Sequence, residues 1–448
     1  MGLGGAAGLA VAADGLAGIL AGGRAPARAR TAAVHLLHWI DFVPEADDEL
    51  ARQVAAYTRQ TGTEVRLERV DANALPARIT AAAEAGRGPD IVLMLHNWPH
   101  LYRRWLADVE DLCEWKARDQ DGYYPEAVAA ARASARWLAL PYGVVPVLIA
   151  YRKSWFAEAG AAEPPRTLDA YRRLGARLKK AGRPVGQTLG HTFGDAPAWV
   201  YPILWAFGGA ETDASGRRVV LDSRAALESV KWMTAFWKEA CDESGFGWDD
   251  SDNNRVFHRG KISATLNGAS IYIVAKRSAT PDRAPIYFAA KRRPEWIKDE
   301  HGAPMFEDIS HFPIPAGPVP TPGCHLVFSH ALMSYSANQP AAREFLRWLH
   351  GREQFGRWLR AAGGYNVGAT RVWERDPMWE RIDPALRPFQ TAVRDSRMFG
   401  YAGPADTRAS EAYAKYIITD MYARAVWGAP PADAVRWAAR QLESIYAR

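Results

Sequence analysis

The sequence has little of several features that would point to other kinds of protein. Its three cysteines, Cys113, Cys241 and Cys324, are far apart and odd in number, so they predict neither a disulfide framework nor a metal site. Beyond the N-terminal region there is no run of about 20 apolar residues, so no membrane-spanning helix is predicted there. The motifs G-x-S-x-G, H-E-x-x-H and Walker A are also missing.

A dense basic run is missing as well. The formal net charge is +6, but the 56 Lys and Arg residues are scattered among 50 Asp and Glu residues. Proteins that bind nucleic acids concentrate their basic residues in a patch or stripe. We therefore do not expect a nucleic-acid partner.

What the chain does have is length and aromatic residues. Its 448 residues, 48% of them apolar, predict a large core divided between two domains or lobes. The 18 tryptophans are many for this length. Most should fill cores, but an indole face is both apolar and electron-rich, so tryptophan also suits stacking against sugar rings.

Residues 1–30 differ from the rest in composition, being rich in Ala, Gly and Leu and free of lysine. The segment 25–27, Ala-Pro-Ala, fits the A-x-A pattern of a signal cleavage site. The weak, Gly-rich apolar stretch is typical of a twin-arginine export signal, although no Lys or Arg precedes Arg24. We interpret residues 1–30 as the remnant of an export signal whose basic n-region is missing, which predicts a periplasmic protein. A disordered tail is the alternative.

After this segment, strand and helix patterns alternate. Apolar runs predict strands at 34–40 and 90–95, and an alternating pattern predicts a strand at 63–70. Helices are predicted at about 47–60 and 74–85. The order β-α-β-α-β is the signature of a mainly parallel sheet covered by helices, which is an α/β fold.

In such sheets, ligands bind beyond the carboxyl ends of the strands. The third predicted strand is followed there by His96, Asn97 and Trp98, and the first by Trp39 and Asp41. These side chains are therefore predicted to lie at the rim of a ligand site.

Further along the chain, 144–151 is predicted as one buried strand. A helix capped by Thr167 and another capped by Asp222 or Ser223 follow, and the helix within 336–351 is predicted to end at Gly351.

Five segments, taken together and in order, carry a family resemblance. They are GPDIVLMLHNW, LPYGVVPVLIAYRK with PPRTLDAY, WVYPILWAFGG, FHRGKISATLNGA and AAREFLRWLHGREQFGRWLRAAGGYNVG. The chain resembles, over nearly all of residues 33–448, the extracellular solute-binding proteins of carbohydrate ABC importers, of the maltose-binding type. The resemblance implies a two-lobed periplasmic-binding-protein fold of type II, with two parallel or mixed sheets, flanking helices and a central ligand cleft.

The lobes implied by the resemblance each combine two distant segments. Lobe one is predicted from 33–143 plus 262–335, and lobe two from 146–259 plus 338–448. The chain is predicted to cross between lobes near 143–146, 259–262 and 335–338, and hinge closure around the solute is the expected mechanism.

The family's sugar contacts are carried over unevenly. Asn97 and Trp98 stand where maltose binders carry Asp and Arg, Ser270 stands at the position of a stacking Trp, and Val145 at that of a sugar-contacting Glu. Trp199 keeps an aromatic residue at a position that faces the cleft in relatives. These differences argue against maltodextrin and leave a polyhydroxy ligand expected.

We predict no catalytic residues, no metal site and no cofactor. The predicted ligand-binding residues are Trp39, Asp41, His96, Asn97, Trp98, Tyr142, Trp199, Asn267, Gly323 and Tyr365. The expected partners are a carbohydrate or polyol and, transiently, an ABC permease in the inner membrane, with the chain itself a monomer.

Calcium binding and carbohydrate-processing catalysis are the two alternative chemistries. The segment from Asp250 to Asn254 begins like a calcium loop but has Arg255 and Lys261 where that loop needs Gly and Glu, so a turn is the simpler reading. An exported carbohydrate-active enzyme is the alternative function, and it would need a proton donor and a second carboxylate at a defined separation. The predicted rim residues are mostly amides, aromatics and hydroxyls, which recognise rather than react.

Overall fold

The computed structural model describes residues 33–279 and 296–447. The predicted export signal, residues 1–30, lies outside the described residues. No helix in the described ranges is both long and apolar enough to cross a membrane.

Strands and helices alternate through most of the chain. In chain order the strands are β1 (Ala33–Trp39), β2 (Glu64–Val70), β3 (Ile91–Leu95), β4 (Arg132–Ala133), β5 (Arg136–Trp137), β6 (Leu140–Val145), β7 (Leu148–Arg152), β8 (Ala264–Asn267), β9 (Ile309–Phe312), β10 (Leu326–Leu332) and β11 (Val367–Gly368). The helices are α1 (Pro44–Thr61), α2 (Leu75–Ala85), α3 (Trp98–Leu101), α4 (Glu110–Asp119), α5 (Pro125–Ala131), α6 (Lys153–Glu158), α7 (Leu168–Lys180), α8 (Asp195–Ala206), α9 (Arg224–Ala240), α10 (Asp252–His258), α11 (Ser270–Ser278), α12 (Gln339–Leu349), α13 (Arg352–Ala361), α14 (Met378–Arg381), α15 (Thr407–Ala414), α16 (Ile417–Val426) and α17 (Pro431–Tyr446).

The larger sheet is mixed and has the strand order β11-β6-β10-β3-β1-β2. β1 runs parallel to both β2 and β3, whereas β10 runs antiparallel to β3 and β6. Every residue of β3 is buried, as expected of a central strand covered on both faces. The predicted β-α-β-α-β segment is confirmed as β1 to β3 with α1 and α2.

The smaller sheet has the order β8-β7-β9, with β8 and β9 both antiparallel to β7. We call the elements around the larger sheet the six-stranded half (residues 33–145 and 326–375). Those around the smaller sheet form the three-stranded half (the described residues of 148–312 and 384–447). The ends of both sheets face the polar cleft described below.

The sheets divide the chain differently from the predicted lobes. β8 and β9 pair with β7, whereas residues 262–335 are predicted to belong to lobe one. α12 contacts β10 and α13 contacts α1, whereas residues 338–448 are predicted to belong to lobe two. The chain thus returns to the larger sheet after Phe312, not near 259–262. The short apolar pattern of β8 suits a buried strand of either sheet, so it could not assign the strand.

The strand predicted at 144–151 is wrong as a single element. It is two strands, β6 and β7, that belong to different sheets and are separated by residues 146 and 147. Pro146 has no N–H to donate to a neighbouring strand. The apolar run can therefore continue through this residue although the hydrogen-bonded strand pairing stops there.

The helix ends follow capping chemistry. The Thr167 hydroxyl oxygen accepts a hydrogen bond from the Ala170 N–H at 3.2 Å, and Ser223 does the same for Ala226 at 3.2 Å, which confirms both predicted caps. α1 begins earlier than predicted, at Pro44, because proline is tolerated in the first turn of a helix. The predicted stop at Gly351 is confirmed: α12 ends at Leu349 and Gly351 precedes α13.

Candidate functional site

A cleft between the two halves holds two connected cavities. The outer cavity has a volume of about 770 Å³ and is lined by residues 40–48 and 69–73 of the six-stranded half and by 249–258 of the three-stranded half. The inner cavity, about 30 Å³, has room for about one water molecule. Phe42, Phe193 and Asp250 line both cavities, so the two are continuous.

On the six-stranded side, two buried carboxylates lie just after β1. Asp41 Oδ1 accepts a hydrogen bond from the Val43 N–H at 2.8 Å, and Asp41 Oδ2 accepts one from Asn366 Nδ2 at 3.3 Å. The Asp41 N–H donates to Asp47 Oδ2 at 3.1 Å. Burial and the neighbouring Asp47 charge raise the pKa of Asp41 to about 7, and burial raises the pKa of Asp47 to about 6.

On the three-stranded side, a second carboxylate pair lies at the start of α8. Asp250 accepts hydrogen bonds from the N–H groups of Asp195, at 2.8 Å, and Gly194, at 3.3 Å. Burial raises the pKa of Asp250 to about 6. Burial and the nearby Asp250 charge raise the pKa of Asp195 as well.

An amide network forms a floor beneath the two cavities, with Asn267 and Ser270 lining the inner one and Asn254 lining the outer one. Asn253 Nδ2 donates to Asp195 Oδ2 at 2.6 Å, and the Ser270 hydroxyl donates to Asn267 Oδ1 at 2.8 Å. Asn254 Nδ2 in turn donates to the Ser270 oxygen at 3.0 Å. Because these side chains fix one another, the floor presents polar atoms in defined positions and can recognise hydroxyl groups.

Phenyl and phenol rings, not indoles, line the cavities. Phe42 and Tyr365 have ring centroids 6.0 Å apart and both face the inner cavity. Phe193 approaches from the three-stranded half, with its ring 6.5 Å from that of Trp39. The rings supply apolar faces beside the polar floor, a combination that suits a sugar ring.

Three of the predicted ligand-binding residues line these cavities. Asp41 faces the outer cavity, and Asn267 and Tyr365 face the inner one. All three are almost fully buried. Whether they contact the solute stays a prediction.

Three predicted aromatic residues lie in the hydrophobic core and not along either cavity. Tyr142 packs against Trp358 and His330, each with ring centroids 4.6 Å away. Trp199 packs inside the three-stranded half against Phe236 at 5.6 Å. Trp39, fully buried on β1, lies behind the phenyl rings. This placement differs from the expectation that these rings surround the cleft.

The segment after β3 also lies away from the cavities. His96 has a left-handed φ of 49°, and its Nε2 lies 2.9 Å from the Phe193 carbonyl oxygen across the cleft. Asn97 is completely buried, and within the described residues neither amide atom has a hydrogen-bond partner. Trp98 is 5% exposed and starts α3. These three residues form a seam between the halves, and their ligand contacts stay a prediction.

Gly323 lies in the connection that returns the chain from β9 to β10. Its N–H donates to the Asp395 carbonyl oxygen at 2.8 Å, and a Cβ there would meet the His325 ring at 2.4 Å. The position therefore requires glycine for close packing. It does not line the cavities.

Several cleft residues were not predicted from the sequence. They are Phe42, Asp47, Phe193, Asp195, Asp250, Asn254 and Ser270. Asp250 and Asn254 did stand out in the sequence, but as part of a segment that begins like a calcium loop and not as solute-binding residues. In the described ranges no group of three or more His, Cys, Asp or Glu side chains is placed to hold a metal ion.

Comparisons with known proteins agree with this arrangement. Residues 44–354 match the model of a family described as bacterial extracellular solute-binding protein. A protein of Deinococcus radiodurans described as a probable ABC transporter-binding protein is 21% identical over 438 residues, which covers 93% of this chain and 94% of that protein.

Solved structures show the same fold. A maltose-bound protein of T. maritima superposes with a TM-score of 0.74 at 18% identity and covers 92% of this chain and 100% of its own. A solute-binding protein of Agrobacterium radiobacter in complex with ribitol has a TM-score of 0.69 at 17% identity, covering 92% and 98%. The predicted type II fold with flanking helices is confirmed; its larger sheet is mixed, as predicted, whereas its smaller sheet is antiparallel.

Proposed function

The chain belongs to the family of bacterial extracellular solute-binding proteins, the solute-capturing components of ABC importers, and we propose that its solute is a sugar or polyol held in the outer cavity. The observation that carries this proposal is a cavity of about 770 Å³ lined by polar groups from both halves. That volume lies within the usual range of small-molecule sites. Carboxylate and amide oxygens accept hydrogen bonds from hydroxyl groups, and the adjoining rings offer apolar faces.

The likeness to known proteins supports the ligand class. The T. maritima and A. radiobacter structures contain maltose and ribitol, a sugar and a polyol. The relatives are binding proteins, not enzymes. We therefore propose that this chain binds its solute without turnover, and that the alternative of an exported carbohydrate-active enzyme does not apply.

Closure of the two halves is the proposed mechanism. In the described arrangement the Ser410 hydroxyl donates to the Asn97 carbonyl oxygen at 2.6 Å, and Glu45 of α1 forms an ion pair with Arg277 of α11. The connections that leave one sheet for the other, such as residues 146 and 147, are short enough to act as hinges. A solute that contacts both halves stabilises the closed state by its additional contacts there.

We also propose that the protein is exported to the periplasm and acts there with a membrane permease. An extracellular family and the leader-like residues 1–30 support export to the periplasm. Delivery of the solute requires a membrane permease, which we propose that the protein binds transiently. We propose that the protein works as a monomer and binds no nucleic acid, in keeping with its scattered basic residues.

Calorimetric titration with mono-, di- and trisaccharides and polyols tests the proposal. We expect one solute to bind with a stoichiometry of one and to be recovered unchanged. Asn267→Ala removes an amide at the cavity floor that is tied to Ser270, so it should weaken binding about tenfold or more. Trp427→Ala, at a side chain that is 76% exposed and outside both cavities, is the control. Consumption of the solute, or unchanged affinity in Asn267→Ala, would contradict the proposal.

A further inference from the structure

The cleft is acidic in a protein that is basic overall. In the described part of the chain, the two cavities are lined by seven aspartates, at positions 41, 47, 48, 71, 195, 249 and 250, and by two arginines, Arg69 and Arg255. The whole chain has a formal charge of +6. A cleft of one sign inside a protein of the other sign concentrates ligands of complementary charge.

The buried carboxylates on the six-stranded side are poorly matched by protein cations. Asp41 accepts its hydrogen bonds from a main-chain N–H and from Asn366, both neutral. Asp47 is 7% exposed and lines the outer cavity, and its Oδ1 has no hydrogen-bond partner among the described residues. Among the described residues, the cation paired with Asp47 is Arg69, which lies 3.7 Å from its other oxygen and is partly exposed.

The three-stranded side shows the same mismatch. Asp195 and Asp250 are held by amide and main-chain N–H donors. Arg255 already pairs with Asp252 and lies 3.6 Å from Asp249. His258 is neutral, since burial lowers its pKa to about 4. A buried carboxylate that lacks a cation is costly to keep charged, so this cleft favours a ligand that brings the positive charge.

We propose that the solute is a polyhydroxy compound with a protonated amine, which makes amino sugars and amino polyols its chemical class. The inference rests on the proposed function, because the hydroxyl groups still need the amide floor formed by Asn254, Asn267 and Ser270. The ammonium group would lie between Asp41 and Asp47 on one side and Asp250 on the other. A metal ion is a poorer fit, since the described residues hold no cluster of three acidic or histidine ligands.

If the solute is an amine, its affinity should depend on pH in a definite direction. The pKa values of Asp47 and Asp250 lie near 6 and that of Asp41 near 7, so all three lose protons between pH 5 and 7.5. The charged groups around them are Asp48 and Arg69 on one side and Asp195, Asp249 and Arg255 on the other, with the neutral phenols of Tyr365, Tyr413 and Tyr416 facing Asp250. An ammonium ligand should therefore bind more tightly as pH rises through this window, and a neutral ligand should not.

Matched pairs of amine and neutral ligand test the inference by calorimetry at pH 5 and 7.5. The pairs are 1-amino-1-deoxysorbitol with sorbitol, glucosamine with N-acetylglucosamine, and galactosamine with N-acetylgalactosamine. We expect at least one amine to bind about tenfold or more tightly than its neutral partner at pH 7.5, and this ratio to fall at pH 5. Asp47→Asn should reduce the ratio, whereas Asp222→Asn, at an exposed position outside the cleft, should not.

Other binding results would overturn the inference, either alone or together with the proposed function. If neutral members bind as tightly as their amines at both pH values, or if a neutral sugar from the wider panel binds and no amine does, the inference is overturned and the proposed function stands. If neither amines nor neutral sugars and polyols bind, both are overturned. A ratio that is the same in Asp47→Asn as in the wild type would also overturn the inference, because the charge would then be recognised elsewhere.

Discussion

The buried carboxylate of Asp41 should lower the stability of the ligand-free protein at neutral pH. Its pKa is raised from the ordinary value of 3.8 to about 7, so between these pH values the folded state holds a proton that the unfolded state has lost. The free energy of unfolding therefore falls as pH rises from about 4 to 7. Over the whole window the difference in the free energy of unfolding is about 4 kcal/mol, and about 2.5 kcal/mol of it lies between pH 5 and 7.5.

Asp41→Asn removes this titration with little change in shape. The substituted amide keeps an oxygen for the Val43 N–H. Its NH2 group would face Asn366 Nδ2, but Asn366 Oδ1 has no partner within the described part of the chain, so a flip of the Asn366 amide restores a hydrogen bond. The variant should thus be more stable than the wild type at pH 7.5, and its advantage should be smaller at pH 5.

Urea unfolding at the two pH values, without solute, measures this effect. The control is Asp48→Asn in the first turns of α1, where the side chain is exposed and the free energy of unfolding should change by no more than about 0.5 kcal/mol. A variant that is less stable than the wild type at pH 7.5, or one whose advantage does not grow from pH 5 to 7.5, would refute the reasoning.

Two further predictions concern residues outside the cavities. Trp98→Ala should lower the free energy of unfolding by about 3–5 kcal/mol, since the indole is 5% exposed. A melting temperature equal to that of the wild type would show that Trp98 is not a core residue. Lys116 is fully buried, with Nζ 2.7 Å from the Pro141 carbonyl oxygen, and burial lowers its pKa from 10.5 to about 7. The folded state then holds fewer protons than the unfolded state between pH 7 and 10, so stability should rise by about 3 kcal/mol from pH 7 to 9.5 in the wild type relative to Lys116→Met. Parallel pH profiles of the two proteins would contradict this.

The sequence was informative where local chemistry decides structure. Alternating and apolar runs located β1 to β3, and hydroxyl side chains marked the starts of α7 and α9. It was less informative about which sheet a strand joins. The apolar run 144–151 continues unbroken through Pro146 although the pairing partner changes there, and nothing in the residues of β8 distinguishes the two sheets.

The site was harder to predict for a different reason. The rule that ligands bind beyond strand ends located Asp41, which does line the outer cavity. It did not locate Asp195 and Asp250, because their position depends on how the second half faces the first. The high tryptophan count suggested that indole rings would line the site. Trp39 and Trp199 instead pack in the core, and the rings at the inner cavity belong to Phe42, Phe193 and Tyr365.

The central claim is that a solute closes the two halves over the cleft, and a distance between labels in each half tests it most directly. Cys113, Cys241 and Cys324 are all buried, so spin labels should react with cysteines introduced at the exposed positions Ala74 and Arg259 beside the outer cavity. Pulsed electron spin resonance should show a shorter and narrower distance distribution with saturating solute than without it. The same distribution in both samples, with binding verified by calorimetry, would contradict closure.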